Sequence, residues 1–401
     1  MNRLEENKGT VVLTGCSGFV GSNLVQRLLN EGYEVVGVTR NPQDIANPLY
    51  KEEIFDLRNP QEDYDAFLER LFGNHDIRAI VSAATFISFK DKYFDEYQSV
   101  NVGPIDKFAT SLERVCEGDK PLFIQTSGTT VYEPMSVTDV RDEDYSAFTR
   151  DGLTEEHYLR YGRSVDLGID EGPIMPYSKS KLRAEERIRI GLPDNHLILR
   201  LLIVYSTPDS ESPILDMLLY GFIPLTDSSS VKGGLVKIKQ HAMRAFIPGE
   251  GSGRSPYIHV DKVSDVILSA IGSEEQYQDT YVVAQSDAPS QRELTIMMRN
   301  IAGLGGKPIN TPNGLAKKGA VILRGIDRIL GEPTFFYDWL VDLVDRQVFL
   351  FHPDERRRVI DRFGVDPDTP NGIMEDLEKV YARALEDPGW RLRMIQRNSK
   401  Y

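Results

Sequence analysis

A polar, basic segment in the middle of the chain carries the first residues that suggest chemistry. The sequence PYSKSK occupies residues 176–181 and continues directly into LRAEERIRI. On a helix Tyr177 and Lys181 share one face because they are four positions apart, whereas Lys179 points elsewhere. A tyrosine and a lysine at this spacing are also common on exposed helices. The segment alone is therefore compatible with a catalytic acid/base pair and with a solvated basic helix.

A glycine-rich turn near the N-terminus indicates a dinucleotide site. The apolar run TVVLTG leads into the spacing GxxGxxG, and a helical pattern follows. Glycine allows the tight turn and lets the main chain approach a pyrophosphate, which free N–H groups and the helix dipole stabilise. This position between the first strand and first helix favours a cofactor site over a purely structural turn. The residues predicted to bind the cofactor here are Gly15, Ser17, Gly18, Phe19, Val20 and Gly21.

The end of the second strand-like run, YEVVGVTR, bears on which cofactor is used. Folds that bind NAD usually place an acidic residue there to bond the ribose hydroxyls. This run ends in Thr39 and Arg40 instead. A guanidinium pairs with the 2′-phosphate of NADP, which a carboxylate would repel. The sequence therefore favours NADP over NAD, while a solvated surface role for Arg40 stays open.

The elements that would position these residues form an alternating pattern. Short apolar runs, among them RAIVSAAT, PLFIQTS and HLILRLLIVY, alternate with helical stretches. Such strands indicate a parallel sheet covered on both faces, and hence a doubly wound α/β (Rossmann) domain. We predict this domain over residues 8–206, with a strand near 279–285 as a candidate to complete it. Residues 207–401 are predicted to form a smaller, mostly helical substrate-binding domain.

Composition excludes several other classes of protein. The 401 residues carry a formal net charge of −14, which argues against nucleic-acid binding and against attraction to an anionic membrane. No apolar run approaches the ~18 residues of a membrane span, and no signal peptide is predicted. Two distant cysteines and six scattered histidines indicate neither a disulfide framework nor a metal site. A cytoplasmic location is the expectation.

Several motifs together resemble the extended short-chain dehydrogenase/reductases, the group that includes nucleotide-sugar epimerases and dehydratases. The motifs are GxxGFxG after the first strand and YxxxK at Tyr177. Further matching positions are the acidic-hydrophobic pair Asp56-Leu57, the small pair Ala83-Ala84 and the helix asparagine Asn101. The resemblance implies that these residues line the cofactor site. It also implies a small-molecule substrate and a homodimer built through a helix bundle.

The resemblance assigns a role to the opening motif. Tyr177 is expected to act as acid/base in hydride transfer between nicotinamide and an alcohol or carbonyl carbon. A free phenol, with a pKa near ~10, is a poor base, but the Lys181 ammonium and a cationic nicotinamide stabilise the phenolate. Lys181 is expected to contact the nicotinamide ribose as well.

The chain departs from the family pattern in the block QTSGTTVYE. The family's catalytic serine or threonine falls on Gly128, so the hydroxyl must come from Ser127 or Thr129. We predict Ser127, because it closes the apolar strand at the edge where doubly wound sheets place ligands. An unusually long connection joins this block to Tyr177. Its residues 135–172 are expected either to overhang the substrate cleft or to form a solvent-exposed surface loop.

The predicted function is an NAD(P)-dependent oxidoreductase acting on a secondary alcohol or its ketone. Two alternatives stay open. One is a nucleotide-sugar epimerase or dehydratase that retains its cofactor. This assignment is weakened because Ile203 stands where such enzymes often have an asparagine that helps to hold the sugar nucleotide. The other is a non-catalytic NADP sensor, which the presence of Tyr177 and Lys181 disfavours.

Overall fold

The computed structural model describes residues 8–87, 94–116, 118–131, 135–136, 176–201, 203–206, 231–330, 341, 347–348 and 353–387. Its strands are β1 Thr10–Thr14, β2 Glu34–Thr39, β3 Tyr50–Ile54, β4 Ile77–Ser82, β5 Leu122–Gly128, β6 Met135–Ser136, β7 His196–Leu201, β8 Ile203–Tyr205, β9 Phe246–Pro248, β10 Tyr257–His259, β11 Gln278–Val282, β12 Ile309–Thr311 and β13 Gln347–Val348.

The helices of the same residues are α1 Phe19–Asn30, α2 Gln61–Asn74, α3 Phe94–Tyr97, α4 Gly103–Val115, α5 Pro176–Gly191, α6 Val231–Ala245, α7 Val260–Gly272, α8 Gln291–Ile301, α9 Asn313–Leu330, α10 Pro353–Phe363 and α11 Gly372–Glu386. A π-helical turn, Gln98–Val102, joins α3 to α4, and a 3₁₀ turn, Thr129–Val131, follows β5.

The described strands build one large parallel sheet. Its order is β11-β7-β5-β4-β1-β2-β3, so the chain moves outward from β1 in one direction and then restarts at β4 in the other. The strand order therefore reverses between β1 and β4. In open α/β sheets a ligand binds beyond the carboxyl ends of the strands at this reversal. The predicted doubly wound fold is confirmed.

Helices cover both faces of this sheet, which explains the continuous apolar strands. In β1, Val11 and Leu13 pack into the core beneath α1, α7 and α10, whereas Val12 packs into the core beneath α2, α4 and α5. Successive strand residues point to opposite faces, so a strand that is buried on both faces is apolar at consecutive positions.

A third, smaller core lies in the later part of the chain. It is formed by β8, β10, α8 and α11, with Tyr205, Tyr257 and Tyr381 among its buried residues. The strand β11 does not join this core but pairs in parallel with β7 at the edge of the large sheet. Of the predicted insertion 135–172, all but Met135–Ser136 lies outside the described residues. No helix within the described ranges has both the length and the apolar composition to cross a membrane.

Candidate functional site

The turn between β1 and α1 is shaped by two glycines that leave no space for a side chain. Gly15 has a φ of +74°, and a Cβ there would lie 2.6 Å from the main-chain nitrogen of Ala84. A Cβ on Gly21 would lie 2.0 Å from the Gly15 carbonyl oxygen. The backbone of the turn therefore packs directly on the first turn of α1 and on the end of β4.

The N-terminus of α1 is suited to an anion. Gly18 is the N-cap residue, no side chain caps the helix, and its first turn holds no acidic residue. The first N–H groups of a helix lack partners within the helix and carry its positive dipole end. Ser17, Phe19 and Val20 line the same turn. The residues present thus fit the pyrophosphate of a dinucleotide.

The end of β4 is tied to the end of β1. The Ala83 N–H donates to the Thr14 carbonyl oxygen and the Ala84 N–H to Thr14 Oγ1, both at 3.3 Å. Small side chains at these two positions keep the approach to Gly15 open. Ala83 and Ala84 therefore lie beside the glycine turn, as the cofactor assignment requires.

Charged residues gather where β2 and β3 end. Arg40 is exposed, and Arg58 binds the Asp56 carboxylate with Nε at 3.0 Å and Nη2 at 2.5 Å from its oxygens. The Arg58 hydrogen bonds, with a further contribution from Arg40, lower the pKa of Asp56 to about 2. The Leu57 carbonyl accepts the Tyr64 hydroxyl at 2.7 Å. The edge predicted to hold the adenosine end therefore carries the guanidinium groups of Arg40 and Arg58 beside the Asp56 carboxylate.

The helix α5 places Tyr177 and Lys181 on one inward face. Lys181 Nζ donates to Thr85 Oγ1 at 2.7 Å and to the Thr126 carbonyl oxygen at 2.9 Å. It lies 5.9 Å from the centre of the Tyr177 ring. Lys179 is partly exposed. Lys181 is thus the lysine that reaches the ends of β4 and β5.

Burial changes the proton affinity of both side chains. It raises the pKa of Tyr177 above its usual value, to which the nearby Tyr97 adds, so the phenol is protonated at neutral pH. Burial also lowers the pKa of Lys181 to about 8, although the Glu185 carboxylate opposes this shift. At neutral pH the site therefore holds a neutral tyrosine beside a lysine that is mostly charged.

Asn101 connects the π-helical turn to α5. Its side-chain oxygen accepts the Phe86 N–H at 2.8 Å, and its Nδ2 donates to the Phe86 carbonyl at 3.0 Å and to Ser180 Oγ at 2.9 Å. The Ser180 hydroxyl donates in turn to the Tyr177 carbonyl at 2.7 Å. π-Helical turns are rare and often occur at functional sites. Asn101 thus links the residues after β4 to the start of α5.

The two candidate hydroxyls after β5 have different surroundings. Ser127 Oγ donates to Glu185 Oε1 at 2.6 Å. Thr129 is completely buried, and its Oγ1 has no hydrogen-bond partner within the described residues. A hydroxyl has one proton to donate. The Ser127 proton is engaged with Glu185, whereas the Thr129 proton is not engaged by any described group.

Glu185 is the central residue of a buried ionic cluster that the sequence reasoning missed. Its carboxylate binds Arg200 Nε at 3.1 Å and Nη2 at 2.8 Å. Burial alone would raise the pKa of Glu185, but Arg200, Ser127 and Arg189 together lower it. Tyr177, Lys181 and Glu185 are spaced four residues apart, and this helical spacing indicates in the sequence that Glu185 lies on the same face as the other two. The role of Thr85, next to Ala84, had no comparable signal.

Residues 11–155 match the NAD dependent epimerase/dehydratase family. The match covers the N-terminal part of the chain, from β1 to beyond β5. The matched segment contains the glycine turn, Arg40, Asp56, Asn101 and the block around Ser127. The assignment of α5 rests on its geometry, because Tyr177 lies beyond the match. In the described part of the chain, no group of His, Cys, Asp and Glu residues could hold a metal ion.

The curated relatives of this chain include reductases. Over 39 residues the chain is 56% identical to tetraketide alpha-pyrone reductase 1 from Arabidopsis thaliana, a match that spans 10% of this chain and 12% of that protein. It is 23% identical over 303 residues to the probable low-salt glycan biosynthesis reductase Agl14 from Haloferax volcanii. The second match spans 70% of this chain and 86% of that protein.

A solved structure shows the same fold over most of the chain. It is UDP-glucuronic acid 4-epimerase from Bacillus cereus in complex with NAD, with a TM-score of 0.58 and 17% identity. The alignment covers 94% of this chain and 99% of the epimerase. At this identity the likeness concerns the fold alone, and it confirms the Rossmann architecture.

Proposed function

We propose that the chain is an NADP-preferring oxidoreductase that acts on a secondary alcohol or the corresponding ketone. The observation that carries the proposal is the Lys181 ammonium, which is buried 5.9 Å from the Tyr177 ring and held by Thr85 at the end of β4. A solvated basic helix would not bury this lysine. The family match of residues 11–155 and the reductases among the relatives support the same class of reaction.

Different residues would bind the cofactor and transfer the proton. Gly15, Gly18 and Gly21 form the turn that would hold the pyrophosphate, and Arg40 would pair with the 2′-phosphate of NADP. When bound, the nicotinamide cofactor supplies or accepts the hydride. The protein has to bind the substrate oxygen, move a proton at that oxygen and exclude water from the site.

Tyr177 is the proposed proton donor in the direction of reduction. Its raised pKa keeps the phenol protonated, so the hydroxyl can give its proton to a substrate carbonyl oxygen as hydride arrives at carbon. The phenolate that remains is stabilised by the neighbouring Lys181 ammonium. In oxidation the same groups act in reverse, with the phenolate accepting the alcohol proton.

A second hydroxyl would orient the substrate oxygen. Ser127 stays the predicted donor, but its proton is engaged with Glu185 at 2.6 Å, which supports Thr129 as the alternative. Loss of one oriented donor lowers kcat by about 10²-fold or more. Steady-state kinetics on Ser127→Ala and Thr129→Ala separate the two residues. The variant that lacks the donor should have a lower kcat and nearly unchanged cofactor affinity, and the other variant should have a nearly unchanged kcat.

The proposed function is tested by turnover of NADPH and NADH with a panel of ketones and secondary alcohols. We expect Tyr177→Phe to abolish turnover and to leave NADPH binding intact. A protein that retains NAD through purification and interconverts sugar epimers without net oxidation would instead be an epimerase. Cofactor binding with no turnover on any substrate, unchanged by Tyr177→Phe, would indicate a sensor.

Cofactor preference is tested at Arg40. Arg40→Asp should weaken NADPH binding more than NADH binding by about 1.5–3 kcal/mol, the contribution of a charged hydrogen bond. Arg357→Asp makes the same change of charge on α10, where the arginine side chain is 75% exposed, and serves as the control. Equal losses of affinity for NADPH and NADH in Arg40→Asp would remove the argument for NADP.

A further inference from the structure

Exposed apolar side chains are concentrated in one part of the molecule. We name α6, β9, β12 and α9 the α6/α9 unit. Its two strands pair in parallel, and its two helices pack together through a buried ion pair between Lys239 and Asp327 at 2.5 Å. Among the described residues, nine large hydrophobic side chains are exposed, and seven lie in this unit. They are Ile238, Phe246, Ile309, Leu315, Val321, Ile322 and Ile329.

Three of these residues form an apolar stripe along one side of α9. Leu315, Ile322 and Ile329 are seven positions apart and are 59%, 66% and 64% exposed. An α-helix returns to nearly the same direction every seven residues, so their side chains project from one side. The stripe is about 21 Å long at the helical rise per residue. The opposite side of α9 is buried through Ala320 and Asp327.

The same unit is basic, although the chain as a whole has a net charge of −14. Helices α6 and α9 contain eight Lys and Arg residues and one acidic residue, Asp327, which is buried against Lys239. Lys237, Lys318 and Arg328 are exposed. At physiological ionic strength charges are screened beyond about 8 Å, so an approaching partner senses this local charge and not the net charge of the chain.

We propose that the α6/α9 unit binds the surface of an anionic lipid membrane, with α9 lying in the interfacial plane. An amphipathic helix of this kind buries its apolar side chains at the boundary between headgroups and acyl chains, while neighbouring Lys and Arg residues attract anionic lipids. The stripe supplies the apolar side chains, and Lys318 and Arg328 supply the charge on the same helix. This role is independent of the cofactor site and of the reaction.

Other occupants fit the unit less well. A second copy of the chain would bring two basic surfaces together, which opposes association. Nucleic acid would satisfy the cations, but its phosphates would leave the stripe of Leu315, Ile322 and Ile329 without apolar contacts. An anionic bilayer satisfies both the charged and the apolar side chains.

The test is flotation of the purified full chain with vesicles of phosphatidylcholine, with and without phosphatidylserine. We expect binding that requires phosphatidylserine and weakens at high salt. Ile322→Asp should weaken partitioning at least about tenfold, because an apolar side chain is lost from the interface. Lys318→Ala combined with Arg328→Ala should weaken partitioning about 25-fold, which is about fivefold for each charge.

Ile190→Asp is the matched control. Ile190 is 67% exposed and Ile322 is 66% exposed. Ile190, however, lies in the last turn of α5, outside the unit. This variant should bind vesicles as the wild type does. The proposal is overturned by absence of phosphatidylserine-dependent binding at low salt, or by equal losses in Ile190→Asp and Ile322→Asp. It is also overturned if Ile322→Asp abolishes self-association in a chain that binds no vesicles, or if the chain binds duplex RNA and not vesicles.

Discussion

The β1–α1 turn and helix α9 are both rich in glycine, yet the structure uses their glycines differently. At Gly21 an added Cβ would meet the Gly15 carbonyl oxygen at 2.0 Å, whereas at Gly319 it would meet nothing within 4 Å. The first glycine is required because two backbone segments touch. The second has no steric requirement and only weakens its helix.

The two regions also differ in where their apolar and charged groups lie. Helix α1 buries Leu24, Val25, Leu28 and Leu29 against the sheet, whereas α9 exposes its stripe. In α5 the charges of Lys181 and Glu185 are buried and bonded, while in α9 Lys318 and Arg328 are exposed. Changes near the site should therefore affect stability and cofactor binding, and changes in α9 should leave cofactor binding unchanged.

The largest effect is expected for Gly21→Ala. The added methyl group must displace the glycine turn, which we expect to cost about 3 kcal/mol and to weaken cofactor binding about 100-fold. Fluorescence titration with NADPH measures the loss of affinity. A Gly21→Ala protein that binds NADPH as the wild type does would show that the turn does not hold the cofactor.

Glu185→Gln should lower the free energy of unfolding by about 3 kcal/mol, because it removes the buried negative charge that binds the Arg200 guanidinium. Urea denaturation of the purified protein measures this loss. Glu186→Gln makes the same chemical change at the next, partly exposed position and should stay within about 0.5 kcal/mol of the wild type. Similar losses in both variants would contradict the role of the buried cluster.

Cofactor affinity should depend on pH through Lys181. The ammonium is protonated below its pKa of about 8 and neutral above it, so a favourable contact with the ribose is lost as pH rises. We expect affinity for NADPH to fall above about pH 8, by up to tenfold for each further pH unit. Lys181→Met should bind weakly with no such dependence. Persistence of the same pH dependence in Lys181→Met would assign it to another group.

The smallest effect, with the opposite sign, is expected for Gly319→Ala. Alanine favours the helix over glycine by about 0.5–1 kcal/mol, and the position is open, so the free energy of unfolding should rise by that amount. Thermal unfolding checks this, and NADPH affinity should not change. A destabilised Gly319→Ala variant would mean that the glycines of α9 are constrained like those of the turn.

The amino-acid sequence by itself determined the first strand, the glycine turn and the first helix. It also determined the doubly wound fold and the choice of Lys181 over Lys179 as the lysine beside Tyr177. These features follow from local rules, namely apolar periodicity, the conformational freedom of glycine and the helical repeat. Such rules connect residues only a few positions apart.

Tertiary structure alone decided which partners the site residues have. The sequence left Ser127 and Thr129 as alternatives. Their different surroundings arise because α5 brings Glu185 to the end of β5, although Glu185 is 58 positions from Ser127 in the sequence. Periodicity likewise marks α9 as amphipathic but does not say which neighbour covers its apolar residues. Whether Leu315, Ile322 and Ile329 are buried depends on the packing of distant segments, because burial is a property of contacts and not of the residue itself.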